Sequence, residues 1–329
     1  MNNFNQNKPT DILQDSIGIW DAIQSVIKNV DIREDEKENF LNKVKDTLAN
    51  NEVNVLVTGV TGAGKSTTID AFFDKEVCKI GHSPDPETKH IQKYNFHNLV
   101  LWDTPGFGDS PENDNRYAQE LVNLLRQDNK NGLPKIDLVL VIVDGSSRDL
   151  GTTYELITKV IAPNMRYRDG LIIAVNQADM AMKGRGWDSN AQKPMPELQD
   201  FLNQKAESVK ARINNSCGLN AKVMYYSALY KYNLLKLLCF ILDNVPNEEK
   251  IINILSQINR DQQMWESHDE DVSPEYVVEK AETSISKVMS YAAKGAEIGG
   301  KIGRFIPIVG ETVGKVIGGT LGAIAGLFF

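Results

Sequence analysis

The middle of the chain alternates between short, continuous apolar runs and amphipathic stretches. The predicted strands occupy residues 53–58, 91–96, 99–103, 136–144, 171–176 and 223–227, and all except 91–96 and 223–227 are rich in Val, Ile and Leu. Each run has the length and composition of a buried strand. Between these runs, apolar residues recur at helical spacing, which predicts helices at about 66–73, 114–127, 152–161, 197–214 and 234–243. This alternation predicts an α/β fold over residues 52–245, with a mostly parallel sheet covered by helices on both faces.

The two ends of the chain carry helical patterns only. Residues 1–10 are polar and are expected to be disordered. Residues 11–51 predict two N-terminal helices, at about 11–30 and 34–49, which are expected to pack on a neighbouring domain. Residues 246–329 predict C-terminal helices that end in a glycine-rich tail.

The tail repeats glycine and lysine at regular intervals. Ser273 and a following proline begin a predicted helix of about 33 residues, or ~50 Å, that runs to about Phe305. Its small and apolar seam consists of Ala281, Ile285, Val288, Ala292, Gly295, Gly299 and Ile302. The opposite side carries Lys280, Lys287, Lys294 and Lys301. A glycine zipper follows, with Gly310, Gly314, Gly318, Gly322 and Gly326.

Two interpretations of this tail stay open. A basic amphipathic helix can lie on an anionic membrane, with a helical hairpin around Pro307 entering the interface. Alternatively, glycine stripes allow two helices to pack closely inside a helical domain. A single membrane span is disfavoured, because the uncharged part covers only residues 316–329 and a span needs ~20 apolar residues.

Composition narrows the classes of function. The 329-residue chain has a net charge of −8, which argues against a general nucleic-acid binder. The three cysteines form no C-x-x-C pair and the N-terminus has no apolar signal region, so we expect a cytoplasmic protein. If the tail engages lipid, the protein is expected to be peripheral at the membrane.

A glycine-rich loop follows the first predicted strand. Residues 59–66 read Gly-Val-Thr-Gly-Ala-Gly-Lys-Ser and fit the P-loop pattern G-x-x-x-x-G-K-[ST]. Such a loop points backbone N–H groups at phosphate, and the next helix adds its N-terminal dipole. We expect Lys65 to reach the β- and γ-phosphates and Ser66 to ligate Mg²⁺. The predicted nucleotide contacts of this segment are Gly59, Thr61, Gly62, Ala63, Gly64, Lys65, Ser66 and Thr67.

Three further motifs lie at the ends of later strands. Asp-Thr-Pro-Gly begins at Asp103, which is placed to hold Mg²⁺ through water, while the Gly106 N–H is placed to sense the γ-phosphate. Asn-Gln-Ala-Asp spans Asn176 to Asp179, and a carboxylate at Asp179 can accept from guanine N1–H and N2–H₂ together. Adenine offers no such pair of donors, so Asp179 predicts GTP over ATP. The last motif is Ser227-Ala228, where we expect a backbone N–H to meet guanine O6.

Together these motifs resemble the Era/septin-like P-loop GTPases of the translation-factor class over residues 52–245. The resemblance implies GTP/GDP and Mg²⁺ as ligands, GTP hydrolysis, and Lys65, Thr88 and Gly106 as catalytic groups. Thr88 occupies the position of the family's switch-I threonine and would join Ser66 and Asp103 as a metal ligand. Relatives of this kind often complete the site by dimerising through the G domain. Immunity-related GTPases, which are similar in layout, join their N- and C-terminal helices into one helical domain.

The motifs depart from the family pattern at three positions. Gln177 stands where the family has a lysine beside the base, Phe107 where Ras-like members have a water-positioning glutamine, and Gly62 where potassium-activated members have asparagine. Phenylalanine cannot orient water, so hydrolysis is expected to be slow. The sequence leaves two hypotheses: a slow GTPase switch, or a GTP-gated assembly or membrane-inserting effector in which hydrolysis is incidental.

Overall fold

The computed structural model describes residues 18–73, 90–96, 98–108, 110–265, 271–296 and 298–322. Six strands form one sheet: β1 (Val53–Gly59), β2 (Gln92–Phe96), β3 (Leu99–Asp103), β4 (Leu138–Asp144), β5 (Leu171–Asn176) and β8 (Lys222–Tyr225). Their order is β2-β3-β1-β4-β5-β8. The pairing is parallel except between β2 and β3. The predicted α/β fold with a mostly parallel sheet is therefore confirmed, and the carboxyl ends of the five parallel strands meet at one edge.

Helices cover both faces of this sheet. The intervening elements are α3 (Lys65–Phe72), α4 (Pro111–Leu125), α5 (Gly151–Glu155), α6 (Pro196–Cys217) and α7 (Leu234–Leu242). A small ribbon of β6 (Trp187–Asp188) and β7 (Lys193–Pro194) precedes α6. Successive residues of a strand face opposite sides, so Leu56 packs with α4, α5 and α6 while Val55 and Val57 pack with α3 and α7.

Most predicted boundaries lie within a few residues of the observed ones, with two informative differences. The helix expected over 152–161 is α-helical only as far as Glu155 and continues as a π-helix over Leu156–Ile161. The strand expected over 223–227 ends at Tyr225, because the Ser227 N–H turns back to the Tyr232 carbonyl. Ser227 and Ala228 consequently lie in a tight turn and not on a strand.

The remaining helices pack on one another and on the sheet core. They are α1 (Ile19–Lys28), α2 (Glu34–Asn50), α8 (Ile251–Leu255), α9 (Pro274–Gly295), α10 (Gly299–Ile302) and α11 (Ile306–Leu321). Contacts join α2 to α9, α1 to α11, and α9 to α11 along their lengths. Their apolar residues belong to the same hydrophobic cluster as one face of the sheet.

The tail is a pair of helices whose turn lies earlier than expected. The helix predicted to run to Phe305 ends at Gly295, and Pro307 sits in the first turn of α11 and not in the bend. Glycine is costly in a helix at ~1 kcal/mol, and proline suits a first turn because its missing N–H has no partner there. Gly295, predicted to lie in the buried seam, is exposed. No helix within the described ranges is long and apolar enough to cross a membrane.

Candidate functional site

The P-loop connects β1 to α3 at the edge where the parallel strands end. Gly62 and Gly64 have φ angles of 79° and 88°, in the region that favours glycine. A side chain at Gly64 would collide with the Asn176 amide, and one at Gly59 would collide with the Ile142 carbonyl. The glycines therefore serve two purposes. They allow the turn of the loop, and they allow β4 and β5 to approach it closely.

Lys65 is buried in the first turn of α3 and reaches back over this loop. Its ammonium donates to the Gly59 carbonyl at 3.3 Å and to the Val60 carbonyl at 3.1 Å. These bonds hold a positive charge beside the loop backbone. Ser66, the predicted metal ligand, is half-buried at the next position, and Thr67 follows it with similar exposure.

Asp103 ends β3 and lies next to the P-loop, where it is 1% exposed. Burial raises the pKa of its carboxyl from 3.8 to about 6, an effect that Lys65 opposes and Asp70 reinforces. Its Oδ1 atom is buried and has no hydrogen-bond partner among the described residues. A buried carboxylate oxygen without a partner is costly unless a cation or donor joins it.

These donors fit a Mg²⁺ ion. Mg²⁺ takes one or two protein oxygens and completes its shell with water and phosphate. Asp103 and Ser66 supply oxygens of this kind. The chain ranges that the structure describes contain no group of three His, Cys, Asp or Glu residues that could hold a metal by themselves. Thr88, the third predicted ligand, lies outside the described residues.

The segment after Asp103 is bonded to the P-loop backbone. A Cβ at Gly106 would lie 2.6 Å from the Thr61 Cα, so only glycine fits there. The Thr61 N–H donates to the Phe107 carbonyl at 3.0 Å, and the Phe107 N–H donates to the Gly59 carbonyl at 3.3 Å. Gly106 and Thr61, two predicted site residues, are thus adjacent.

The Phe107 side chain points away from this loop into the protein core. It is 5% exposed and meets the Tyr117 ring edge-on at a centroid distance of 6.2 Å. The residue at the family's glutamine position is therefore a packing residue. The sequence pattern showed only that a glutamine was missing there, and not that the side chain joins the core.

Asn176 joins three of the predicted motifs. Its amide donates to the Ala63 carbonyl in the P-loop at 2.9 Å and accepts from the Ala228 N–H at 3.0 Å. Gln177, with a left-handed φ of 58°, donates to the Gly62 carbonyl at 2.7 Å. The end of β5 is thereby tied to the P-loop and to the turn after β8.

Asp179 is held by the same turn. It is 4% exposed, and its Oδ1 accepts from the Ser227 hydroxyl at 2.6 Å. The predicted contact of a backbone N–H with guanine O6 stays a prediction, because the Ala228 N–H is used by Asn176 here.

One pair of residues in the site was missed at the sequence level. Thr68 donates to the Gly64 carbonyl at 2.8 Å and lies 2.6 Å from the Tyr226 hydroxyl. Both side chains are buried, and burial raises the pKa of Tyr226. This contact ties α3 to the end of β8. Thr68 looked like an ordinary helix residue, and no pattern signalled a partner 158 positions away.

Comparison with known proteins agrees with this geometry. Residues 54–177 match the family model described as 50S ribosome-binding GTPase. The uncharacterized protein YfjP of Escherichia coli (strain K12) is 31% identical over 129 residues, which cover 38% of this chain and 41% of that protein. Interferon-gamma-inducible GTPase 10 of Mus musculus is 34% identical over 107 residues, covering 31% of this chain and 25% of that protein.

A solved structure of a probable GTP-binding protein, engB, is also similar. It is 21% identical, with a TM-score of 0.39, and the match covers 58% of this chain and 98% of that one. The matched region spans less than half the length of the two curated relatives. Over residues 54–177 the chain is thus similar to the GTPase domains that this family model describes, and most of its flanking helices lie outside those residues.

Proposed function

We propose that this chain is a guanine-nucleotide switch that binds GTP and GDP with Mg²⁺ and hydrolyses GTP slowly. The observation that carries the proposal is the pair of hydrogen bonds made by Asn176. They bring the P-loop, the Asn176–Asp179 motif and the Ser227–Ala228 turn into one site. A phosphate cradle beside a carboxylate held for guanine is the arrangement that a GTP-binding site requires.

Each residue has a role in this proposal. Lys65 and the P-loop amides bind and orient the β- and γ-phosphates, and the Gly106 N–H contacts the γ-phosphate. Ser66, Asp103 and Thr88 hold Mg²⁺, which when bound neutralises charge on the phosphate oxygens. Asp179 accepts from the guanine edge while Ser227 keeps its carboxylate in place.

Slow hydrolysis follows from Phe107. Its side chain packs on Tyr117, so it does not orient an attacking water. We propose that a second copy of the chain, meeting the first through the G domain, supplies the missing group. Without it, turnover is expected at about 10⁻³ s⁻¹ or slower.

Single-turnover hydrolysis at increasing protein concentration tests this function. We expect GTP but not ATP to be cleaved, and the rate constant to rise with concentration because dimers complete the site. Lys65→Ala is the control and should abolish cleavage at every concentration. Equal cleavage of ATP would contradict the assignment of guanine to Asp179.

The same experiment distinguishes the GTPase switch from a second candidate function, a GTP-gated assembly in which hydrolysis is incidental. The burial of Phe107 favours this candidate too. GTP-dependent dimers in sedimentation, with a rate constant that stays near zero at all concentrations, would support assembly over catalysis.

We further propose that the chain is organised as a G domain at 52–245 with one helical domain formed by residues 11–51 and 246–329. Three of the four tail lysines make intramolecular ion pairs, which supports a packed tail. Lys280 bonds Asp243 at 2.9 Å, Lys287 bonds Glu248 at 2.5 Å and Lys301 bonds Glu36 at 2.7 Å. Membrane association through the tail would require these contacts to open.

A further inference from the structure

A groove lies beside the nucleotide site, between α6 and the loops that follow β4 and β5. Its volume is about 1170 Å³. We call it the basic groove, because it is lined by the cationic residues Arg148, Lys183, Arg185, Lys205 and Arg212. None of these residues is part of the nucleotide site described above.

The charges in the basic groove are unbalanced. Its lining contains one acidic residue, Asp149, whose carboxylate already accepts from the Gly151 N–H at 2.8 Å. Arg185 meets Glu197 at 3.5 Å, but both side chains are at least 70% exposed, and such pairs contribute little. Of the five cations, Lys205 is already bonded to backbone carbonyls, so four face one acidic residue in a chain whose net charge is −8.

Aromatic rings stand beside these cations. Arg212 lies over the Tyr154 ring at 3.9 Å, and Phe201 on α6 is 36% exposed at the groove. Arginine and aromatic residues are enriched where proteins bind one another, because aromatic rings give large contacts at low entropic cost and the guanidinium group offers several hydrogen-bond donors. The groove thus offers anion-binding and apolar contacts side by side.

The backbone of the groove is strained at one point. Met182 and Lys183 are consecutive residues with φ angles of 53° and 61°, a conformation that side chains other than glycine seldom adopt. Both line the groove, and the 3₁₀ segment Ala178–Gly184 that contains them also carries Asp179. Strain of this kind persists mainly where it serves binding or switching.

We propose that the basic groove binds an acidic peptide segment of a partner protein, with apolar residues between its carboxylates. The volume exceeds the ~300–1,000 Å³ typical of small-molecule sites, which favours a chain segment. A long nucleic acid would extend beyond the groove onto a surface of net negative charge, and that disfavours it. Glutamate and aspartate side chains suit the arginine and lysine lining, and an interposed aromatic residue suits Phe201 and Tyr154.

The groove is connected to guanine recognition through its loops. Lys205 donates to the carbonyls of Gly145 at 2.5 Å and Ser147 at 2.6 Å. Gly145 in turn donates to the Asn176 carbonyl at 2.8 Å. A peptide bound in the groove therefore contacts the loop after β4, which is bonded to Asn176 through Gly145, and the segment Ala178–Gly184, which carries Asp179. It is expected to change the rate of nucleotide release. This second part of the inference rests on the proposed function.

Fluorescence anisotropy of a short labelled peptide, rich in Glu with interspersed Phe, tests the site on the full chain. The variant Lys183→Glu/Arg212→Glu should weaken binding by about tenfold or more, because two attractive contacts become repulsive. Lys193→Glu/Lys210→Glu is the matched control, since it makes the same charge change on β7 and α6 outside the groove lining. It should change binding by less than about threefold. Arg148→Glu, in an exposed loop, is a second groove variant should the first fail to fold.

Three outcomes would overturn the proposal. The first is that the peptide does not bind to the wild-type chain. The second is that the groove variant and the control lose the same amount of peptide affinity. The third is that a single-stranded RNA of matched charge binds more tightly than the peptide and loses affinity in the groove variant. Release of a fluorescent GDP is measured separately. Peptide binding without any change in that release would overturn the coupling alone, whereas failure to bind GDP would count against the proposed function and leave the peptide result intact.

Discussion

Single residues set the chemistry of the nucleotide site, and Asn176 joins more of its parts than any other side chain described above. Its amide spans from the Ala63 carbonyl to the Ala228 N–H. A shorter side chain would leave two buried backbone groups without partners, each costing ~1–3 kcal/mol. Asp103 is the opposite case, since one of its buried oxygens has no partner among the described residues. That oxygen makes Asp103 a destabilising residue until a ligand arrives.

The burial of Asp103 predicts how the stability of the nucleotide-free protein depends on pH. The pKa of Asp103 is about 6 in the folded chain against a usual value of 3.8, so the folded state binds the proton more tightly. Its contribution to stability is therefore greatest below pH ~4, and it is lost as the pH rises towards and beyond about 6. The loss amounts to about 3 kcal/mol at neutral pH, from a shift of about two units.

Urea unfolding of wild type and Asp103→Asn at several pH values measures this effect. The asparagine variant should lack this part of the pH dependence, so the difference in unfolding free energy between the two proteins should change by about 2.5 kcal/mol from pH 4 to pH 8. All other titrating groups are common to both proteins and cancel. Parallel pH profiles would show that Asp103 is not buried in this way.

At the scale of secondary-structure elements, α3 connects the P-loop to the C-terminal helices. Its first residue, Lys65, belongs to the phosphate loop. At its other end the Phe72 carbonyl accepts from the Asn259 N–H at 2.8 Å, and Trp265 meets the Phe72 ring edge-on at 5.6 Å. A shift of α3 on nucleotide binding would therefore reach the segment that leads into α9.

The α9–α11 pair depends on glycine for its close packing. Gly314 of α11 faces Glu282 of α9, and a Cβ at Gly314 would lie 2.7 Å from the Glu282 Cγ. Gly310 faces Ser286 one turn away, where a Cβ would lie 2.9 Å from Oγ. Two of the five glycines in the predicted repeat therefore lie where α11 approaches α9 closely.

Gly314→Leu should destabilise the protein by about 1–3 kcal/mol, because the added side chain forces the two helices apart. Gly300→Leu is the matched control, since Gly300 is exposed in α10 and a Cβ there meets nothing within 4 Å. It should stay within about 0.5 kcal/mol of wild type. Thermal unfolding compares the two variants, and equal losses would argue against close packing at Gly314.

At the scale of the whole molecule, the helices α1 and α2 pack against α9 and α11 beside the sheet. Lys301 near the C-terminal end pairs with Glu36 near the N-terminal end at 2.7 Å. Lys250 bonds Asp137 at 2.6 Å, a buried ion pair that attaches the segment before α8 to the segment before β4. Breaking such a pair on one side is costly, so the helices are held to the G domain.

This packing predicts weak binding of the wild-type chain to membranes. The apolar seam of α11 is buried against α9, so the part of the tail that the structure describes offers little of this seam to lipid. Flotation with phosphatidylserine vesicles should therefore recover little wild-type protein and clearly more Gly314→Leu, in which the seam is loosened. Strong flotation of wild type, equal to that of the variant, would favour the membrane interpretation of the tail.

The sequence predicted the strands well, and the motifs of the predicted site lie close together in the structure. A buried strand and a phosphate loop can each be recognised from consecutive residues, such as residues 171–176 and 59–66. It predicted the tail less well, because the end of α9 at Gly295 depends on where two helices can pack. The contact of Thr68 with Tyr226 was not predicted, since the two residues are 158 positions apart. The packing of Phe107 on Tyr117 was not predicted either, because it depends on how the loop after β3 meets α4.

By itself the sequence determined the order of strands and helices, the P-loop and the residues that we propose for guanine recognition, because each depends on local pattern and side-chain chemistry. Only the tertiary structure decided which atoms have partners. It joined Asn176 to Ala63 and Ala228, left an Asp103 oxygen unpaired among the described residues, and placed five cations from three segments around one groove. Such contacts form when segments distant in the sequence pack together, so no local sequence pattern predicts them.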